Sequence, residues 1–189
     1  FSVAIAQNWN QIGTDITGVN GNGELAVAIN HDGNIVASRS PSSGSYTAVY
    51  YKNGSSWTQL GQDIPMSPLD LSLSADGYTL AINQLNGNNG SNISIARIFQ
   101  FNGTSWIQLG QDFSGMRLTS SLNDDGSIVA IGDPYSNSYT GETSVYQYMY
   151  NGFNYAWVQL GQTIIGNPVG GYAGYSVDLS SNGNILGFN

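Results

Sequence analysis

Few residue types that perform covalent or metal chemistry occur in this sequence, and their spacing assembles no catalytic group. The chain has one histidine, His31, in an Asp-Gly turn, and no cysteine. Without a second histidine or a thiol, nucleophilic catalysis and zinc binding both lack necessary residues. Two of the 12 Asp and Glu residues could act as a glycosidase pair, but the sequence selects no pair. We therefore predict that the chain is not an enzyme and uses no cofactor.

Calcium binding is the alternative chemistry, because Asn123, Asp125 and Asp133 offer oxygen ligands within one repeat. A calcium loop needs six or more converging oxygens, typically from acidic residues at alternate positions and a final bidentate Glu. No segment has that spacing, so we predict no metal site.

Tyrosine and amide side chains suit recognition better than catalysis. Two tyrosine-rich, weakly charged segments lie at residues 133–139 and 170–175. Aromatic rings and amides of this kind bind polar ligands by stacking and hydrogen bonding. The candidate ligand-binding residues are Tyr135, Tyr139, Tyr172 and Tyr175.

Four Asn-x-Ser/Thr sequences are candidate N-glycosylation sites, at Asn53, Asn89, Asn92 and Asn102. Asn53 and Asn102 fall in equivalent predicted hairpin turns, where an acceptor is exposed. Asn-Gly is also the usual sequence of a tight turn, which needs φ above zero. Glycosylation and turn geometry both stay open as explanations.

The charge balance restricts the partners. Four Lys and Arg stand against 12 Asp and Glu, for a net charge of −8. Nucleic-acid binding and binding to anionic membranes both draw on clustered cations, which this chain lacks. No apolar run approaches the roughly 20 residues that cross a bilayer. We therefore expect a glycan, a protein surface or a second copy as partner, with no nucleic acid and no membrane insertion.

A repeat of about fifty residues positions these side chains. Its clearest mark is a Trp-x-Gln-Leu/Ile-Gly motif whose tryptophans are Trp9, Trp57, Trp106 and Trp157. Four matches at near-constant spacing indicate repeated structural units, in which a shared aromatic fills the gap between neighbours. The alternative is that the tryptophans are sugar-stacking platforms.

Each repeat also contains three further strand patterns. An alternating apolar strand follows each Trp motif and meets Asp-Gly or Asn-Gly, at 32–33, 76–77, 125–126 and 182–183, before a buried partner strand. A third strand precedes the later tryptophans, at 46–52, 93–100 and 143–150. One repeat is therefore a four-stranded antiparallel meander, the form of a propeller blade.

The sequence thus predicts an all-β fold, a β-propeller of four four-stranded antiparallel blades in one domain, 1–189. The expected blades are 17–64, 65–113, 114–164, and a shared one from 1–16 with 165–189. In that shared blade the N- and C-terminal strands close the ring, which leaves no open sheet edge between the ends. The alternative is a segment of a longer array.

The motifs W-x-Q-L-G at 157–161, G-Y-S-V-x-L-S-x-x-G at 174–183 and A-I-G-x-P at 130–134 together resemble FG-GAP-like and Kelch-like propeller repeats. The chain departs from integrin-type FG-GAP repeats because it lacks their acidic calcium loops. The resemblance implies adhesion, recognition or structural roles outside the cell or on its surface. We expect this chain to be extracellular, on a cell surface or on a virion surface. We expect a non-catalytic recognition or adhesion module, with glycan binding as one form of it. The alternative is a structural subunit of a fibre, sheath or coat.

Overall fold

The computed structural model describes residues 10–16, 26–40, 45–86 and 93–189. The regular secondary structure of these residues is almost entirely β-strand, as the alternating apolar patterns predict. The strands and the single helical turn are β1 Val27–Ile29, β2 Ile35–Arg39, β3 Thr47–Asn53, β4 Ser56–Gln59, β5 Asp70–Leu73, β6 Thr79–Leu85, β7 Ile93–Phe101, β8 Trp106–Met116, β9 Thr119–Leu122, β10 Ile128–Asp133, α1 Ser136–Tyr139, β11 Glu142–Tyr150, β12 Tyr155–Ile165, β13 Val177–Leu179 and β14 Leu186–Phe188.

Three four-stranded antiparallel sheets follow one another along the chain. Blade 1 is β1–β4, blade 2 is β5–β8 and blade 3 is β9–β12, and each has its strands in sequence order. β13 and β14 form a two-stranded sheet, here called blade 4. The first strands of the four blades lie side by side in chain order. This is the arrangement of propeller blades around an axis.

The first turn of every blade is built in the same way. A polar side chain just before the turn accepts a hydrogen bond from the backbone N–H five residues later, as at Asn30 to Ile35 (2.8 Å) and Ser74 to Thr79 (2.9 Å). Asn123 and Ser180 repeat the bond in blades 3 and 4. The Asp-Gly and Asn-Gly signals therefore mark real hairpins.

These first turns also bond to one another around the axis. The N–H of His31 donates to the carbonyl of Ala75 (3.2 Å), the N–H of Ala75 to Asp124 (2.8 Å), and the N–H of Asp124 to Ser181 (3.0 Å). All four turns consequently lie on one side of the molecule. We call this side the turn face and the opposite side the loop face.

The Trp motifs of blades 2 and 3 each join their blade to the previous one through an arrangement that we call the interblade joint. The indole Nε1 of Trp157 donates to the Leu109 carbonyl at 3.0 Å, and the side chain of Gln111 bonds both the N–H and the carbonyl of Trp157. Trp106 makes the same bonds to Leu60 and Gln62. The motif is therefore a two-part connector rather than only a core aromatic.

Glycine is required within the joint, because the indole lies directly on it. Gly110 has φ +66°, and a Cβ there would stand 2.8 Å from Cδ1 of Trp157. Gly61 is placed in the same way against Trp106, with φ +76° and 2.9 Å. Both the left-handed backbone and the close approach exclude a larger residue.

The core consists of two apolar layers between blades. Ile35 and Val49 of blade 1 lie in one cluster with Leu80, Ile82 and Trp106 of blade 2. A second cluster joins blade 2 to blade 3, and includes Trp157. Because the middle strands are buried on both faces, their sequences are nearly continuous apolar runs.

The prediction of an all-β propeller-type fold with four-stranded antiparallel blades is confirmed. Its ring closure is a separate matter. The proposed N-terminal strand, with Trp9, lies outside the described residues, and residues 10–16 contain no strand. Closure by strands from the two ends therefore stays a prediction.

Candidate functional site

Three of the four candidate tyrosines meet on the loop face. Tyr135 and Tyr139 belong to the loop between β10 and β11, and Tyr172 to the segment between β12 and β13. The ring centroids are 6.0 Å apart for Tyr135 and Tyr139, 5.4 Å for Tyr135 and Tyr172, and 6.1 Å for Tyr139 and Tyr172. We call this group the tyrosine cluster. The sequence predicted its members but not their mutual contact.

The tyrosine cluster rests on an unusual backbone. Asn137, Ser138 and Tyr139 all have positive φ, so α1 is a left-handed turn and not a regular helix. Tyr172 is also left-handed, with φ +52°. For residues other than Gly, such a conformation costs roughly 1–3 kcal/mol, and it persists only where the surrounding structure imposes it.

Backbone hydrogen bonds between the two segments impose that conformation. The carbonyl of Tyr139 accepts from the N–H groups of Gly170 (2.9 Å) and Tyr172 (3.3 Å), and the carbonyl of Thr140 accepts from Ala173 (2.9 Å). At Gly141 a Cβ would collide with the backbone of Ala173. The two segments therefore form one rigid support for the rings.

The rings of the cluster remain accessible. Tyr139 is 50% exposed and Tyr172 is 39% exposed, while Tyr135 is half-buried beneath them. Nearby, Asn137 donates to the Glu142 carboxylate, and burial raises the pKa of Asp133. The arrangement offers aromatic surface, phenol groups and carboxylates, but no paired nucleophile and base.

Tyr175 lies apart from the tyrosine cluster. No ring contact within the described ranges joins it to the other three. It is 52% exposed and lines a separate cavity of about 270 Å³ with Asp70, Arg117 and Thr119. Tyr175 is therefore a candidate for a different contact on the same face.

A buried polar group beside this cavity was missed by the sequence analysis. Asn83 is fully buried, and its Nδ2 donates to Asp70 Oδ2 (2.9 Å) and Ser120 Oγ (3.0 Å). Burial raises the pKa of Asp70, although hydrogen bonds from Ser120 and Asn83 oppose the shift. The signal that could have revealed this link between blades 2 and 3 is an Asn inside the apolar strand β6.

The structure does not bring the three considered calcium ligands together: Asn123 contacts Asp125 in the first turn of blade 3, but Asp133 is not with them. The side chain of Asn123 accepts from the backbone of Ile128, and Asp125 accepts from Ser127. Asp133 belongs to the other end of blade 3, where it accepts from Met116. Among the described residues, no group of three or more His, Cys, Asp or Glu could hold a metal ion.

Two of the glycosylation candidates can be located. Asn53 and Asn102 are exposed in turns between the third and fourth strands, and the glycines after them have open space around them. Asn89 and Asn92 lie outside the described residues. Ser94, the hydroxyl residue of the Asn92 sequence, is fully buried and accepts from the N–H of Leu118. Both turn tips therefore leave the acceptor side chain accessible to solvent.

No helix in the described ranges has the length and apolar character needed to cross a bilayer.

No protein-family model and no curated protein matches the sequence. The resemblance to FG-GAP-like and Kelch-like repeats therefore stays a prediction.

Solved structures do match the fold. A provisionally assigned 6-phosphogluconolactonase from Bacteroides uniformis is 13% identical with a TM-score of 0.52, over 94% of this chain and 51% of that protein. A second protein of that assignment, from Bacteroides fragilis, is 12% identical with a TM-score of 0.51, over 86% of this chain and 41% of that protein. This chain thus spans about half the length of these proteins or less. At such identity the likeness concerns the fold alone, which is propeller-like.

Proposed function

We propose that this chain is a non-catalytic recognition module that binds polar ligands, glycans among them, through the tyrosine cluster on its loop face. The observation that carries the proposal is the mutual contact of Tyr135, Tyr139 and Tyr172 on a rigid support, with Tyr139 and Tyr172 partly exposed to solvent. Rigid aromatic side chains give contact area at a small entropic cost, since little freedom is lost on binding.

The proposal includes a place outside the cell, on a cell surface or on a virion, and kinship with FG-GAP-like or Kelch-like repeats. Exposed Asn53 and Asn102 at the turn tips support the first part, since N-glycans are added to secreted proteins. The A-I-G-x-P and W-x-Q-L-G motifs support the second part. The likeness to provisionally assigned lactonases gives no reason to assign catalysis to this chain, because it concerns fold alone.

A glycan array followed by calorimetric titration of the best ligand tests the proposal. Tyr139→Asn and Tyr172→Asn remove a ring but keep a residue that tolerates positive φ. Loss of one such anchor is expected to weaken binding about tenfold. Tyr46→Ala, which removes a tyrosine of similar exposure (40%) from blade 1, is the matched control. Binding that no cluster variant weakens would rule out this surface as the site.

A structural subunit is the second candidate, favoured by the edge of blade 3. β12 is an outermost strand of 11 residues, and Leu160, Ile164 and Ile165 on it are 38%, 43% and 61% exposed. A long edge strand with apolar side chains is a template for pairing with another chain. Light scattering over a concentration series tests this candidate. Assembly that Ile165→Lys suppresses would support it, and a strictly monomeric particle would oppose it.

A further inference from the structure

The cavity between blades 1 and 2 on the turn face has the composition of a ligand site. It has a volume of about 510 Å³, within the usual range of small-molecule sites, roughly 300–1,000 Å³. Tyr51 and Tyr78, which are 37% and 45% exposed, provide aromatic surface, and buried Ile35 lies at its base. Asp32 and Lys52 contribute one charge of each sign.

Blade 1 departs from the repeat at two residues that line this cavity, Lys52 and Tyr51. The residue paired with the joint tryptophan on the third strand is Phe101 in blade 2 and Tyr148 in blade 3, but it is Lys52 in blade 1. The two aromatic rings contact the tryptophan of their own blade, at centroid distances of 5.5 and 5.3 Å. Blade 1 therefore has a cation at the edge of the cavity where the other two blades have an aromatic ring.

The position before Lys52 also differs between blade 1 and the other two blades, but here blade 1 is the one with the aromatic residue. Gln100 and Gln147 occupy it in blades 2 and 3, facing the first residue of the second strand, whereas blade 1 has Tyr51. Blade 1 has therefore exchanged an aromatic for a cation and an amide for an aromatic at adjacent positions. Departures from a local rule without a structural benefit are expected at functional sites.

The carboxylates of the cavity differ in their availability. Asp76 is held within its own turn, since its Oδ1 accepts from the Ser74 hydroxyl (2.6 Å) and from the N–H of Tyr78 (2.9 Å). Asp32, at the equivalent place in blade 1, makes no side-chain hydrogen bond with another described residue, because Asn30 caps that turn instead. Asp32 and Lys52 also form no ion pair with each other in the described part of the chain. With respect to the described residues, both charges are therefore available to a ligand.

We propose that this cavity binds a single saccharide ring of a neutral glycan. The apolar C–H face of such a ring would lie on Tyr51 or Tyr78, and its hydroxyls would donate to Asp32 and accept from Lys52. Tyr78 is held in place for this role because it stacks on Phe101 at 6.1 Å with an interplanar angle of 19°. The site lies on the face opposite the tyrosine cluster, so it goes beyond the function proposed above and does not depend on it.

Saturation-transfer NMR and calorimetry with the methyl glycosides of glucose, galactose, mannose and N-acetylglucosamine test the inference. At least one glycoside is expected to bind with millimolar affinity. Lys52→Phe and Tyr51→Gln install the residues of blade 2, so they are expected to fold and to abolish binding. Asp32→Asn should weaken binding about tenfold, since a charge-assisted hydrogen bond is replaced by a neutral one.

Gln100→Ala is the matched control, because it alters the equivalent position of blade 2 outside the cavity. Thermal unfolding of each variant verifies folding. The inference is overturned if none of the four glycosides binds, or if Lys52→Phe binds as well as the wild type. Binding lost in Tyr139→Asn but kept in Lys52→Phe would overturn it too, while supporting the tyrosine cluster as the glycan site.

Discussion

The interblade joint predicts that an exposed glutamine makes a measurable contribution to the contact between two blades. Gln111 Nε2 donates to the Trp157 carbonyl at 2.7 Å, and its Oε1 accepts from the Trp157 N–H at 3.1 Å. Gln111→Ala removes both bonds. At about 0.5–1.5 kcal/mol for each hydrogen bond, the free energy of unfolding should fall by about 1–3 kcal/mol. For a chain of this length that corresponds to a Tm lower by about 2–12 °C.

Gln108→Ala is the matched control for this prediction. Gln108 lies in the same strand and is exposed, but its Nε2 donates to Gly110 and to Asp112 within its own blade, at 3.2 and 2.8 Å. Both bonds of Gln108 are exposed to solvent, whereas those of Gln111 are partly buried, so the loss of Gln108 should change the free energy of unfolding by no more than about 0.5 kcal/mol. Urea unfolding followed by tryptophan fluorescence measures both variants. Equal losses in the two would refute the assignment of Gln111 as an interblade connector.

Three further predictions concern backbone, pH and charge. Gly110→Ala should destabilise the protein more than Gly161→Ala. Both glycines have φ near +67°, but a Cβ at Gly110 would meet Trp157, whereas no described atom lies within 4 Å of a Cβ at Gly161. Similar losses of stability in thermal unfolding would contradict this reasoning. Burial raises the pKa of Asp70 above its ordinary 3.8, so its contribution to stability is fully present below pH 3.8 and is lost as the pH rises through the raised pKa. Asp70→Asn should remove that part of the pH dependence in urea unfolding, and an unchanged pH profile would count against it. Arg97→Ala should cost only about 0.5 kcal/mol, and less in high salt, because its 2.7 Å ion pair with Asp112 is one-third exposed; a large, salt-independent loss would disagree.

The sequence alone predicted most of the fold because one pattern occurs four times. Alternating strands and Asn-Gly or Asp-Gly turns are local features, so their positions could be assigned from neighbouring residues. The partners of the tryptophans could not be assigned in that way. Trp157 bonds to residues 46 and 48 positions earlier, and spacing within one repeat does not identify which side of the neighbouring blade it meets.

The site was predicted less completely, for related reasons. The tyrosine-rich loops predicted Tyr135, Tyr139 and Tyr172 as site residues. Composition alone could not show that Tyr175 lies apart from them, because its surroundings depend on the inner strands. Lys52 carried a readable signal, since comparing the third strands of the repeats shows a cation where the others have an aromatic. That comparison requires the strand register, which the structure provides.

The interblade joint also bears on how such a chain can grow. The Leu, Gly and Gln of blade 1 contact Trp106 in the same way as those of blade 2 contact Trp157. The interblade joint therefore contains nothing specific to one pair of blades. If a whole repeat were duplicated or deleted in the gene, the two blades that became neighbours would already have the residues that form an interblade joint. Blade number can change in evolution without the invention of an interface, while the side chains at single positions, such as Lys52, are left to diverge.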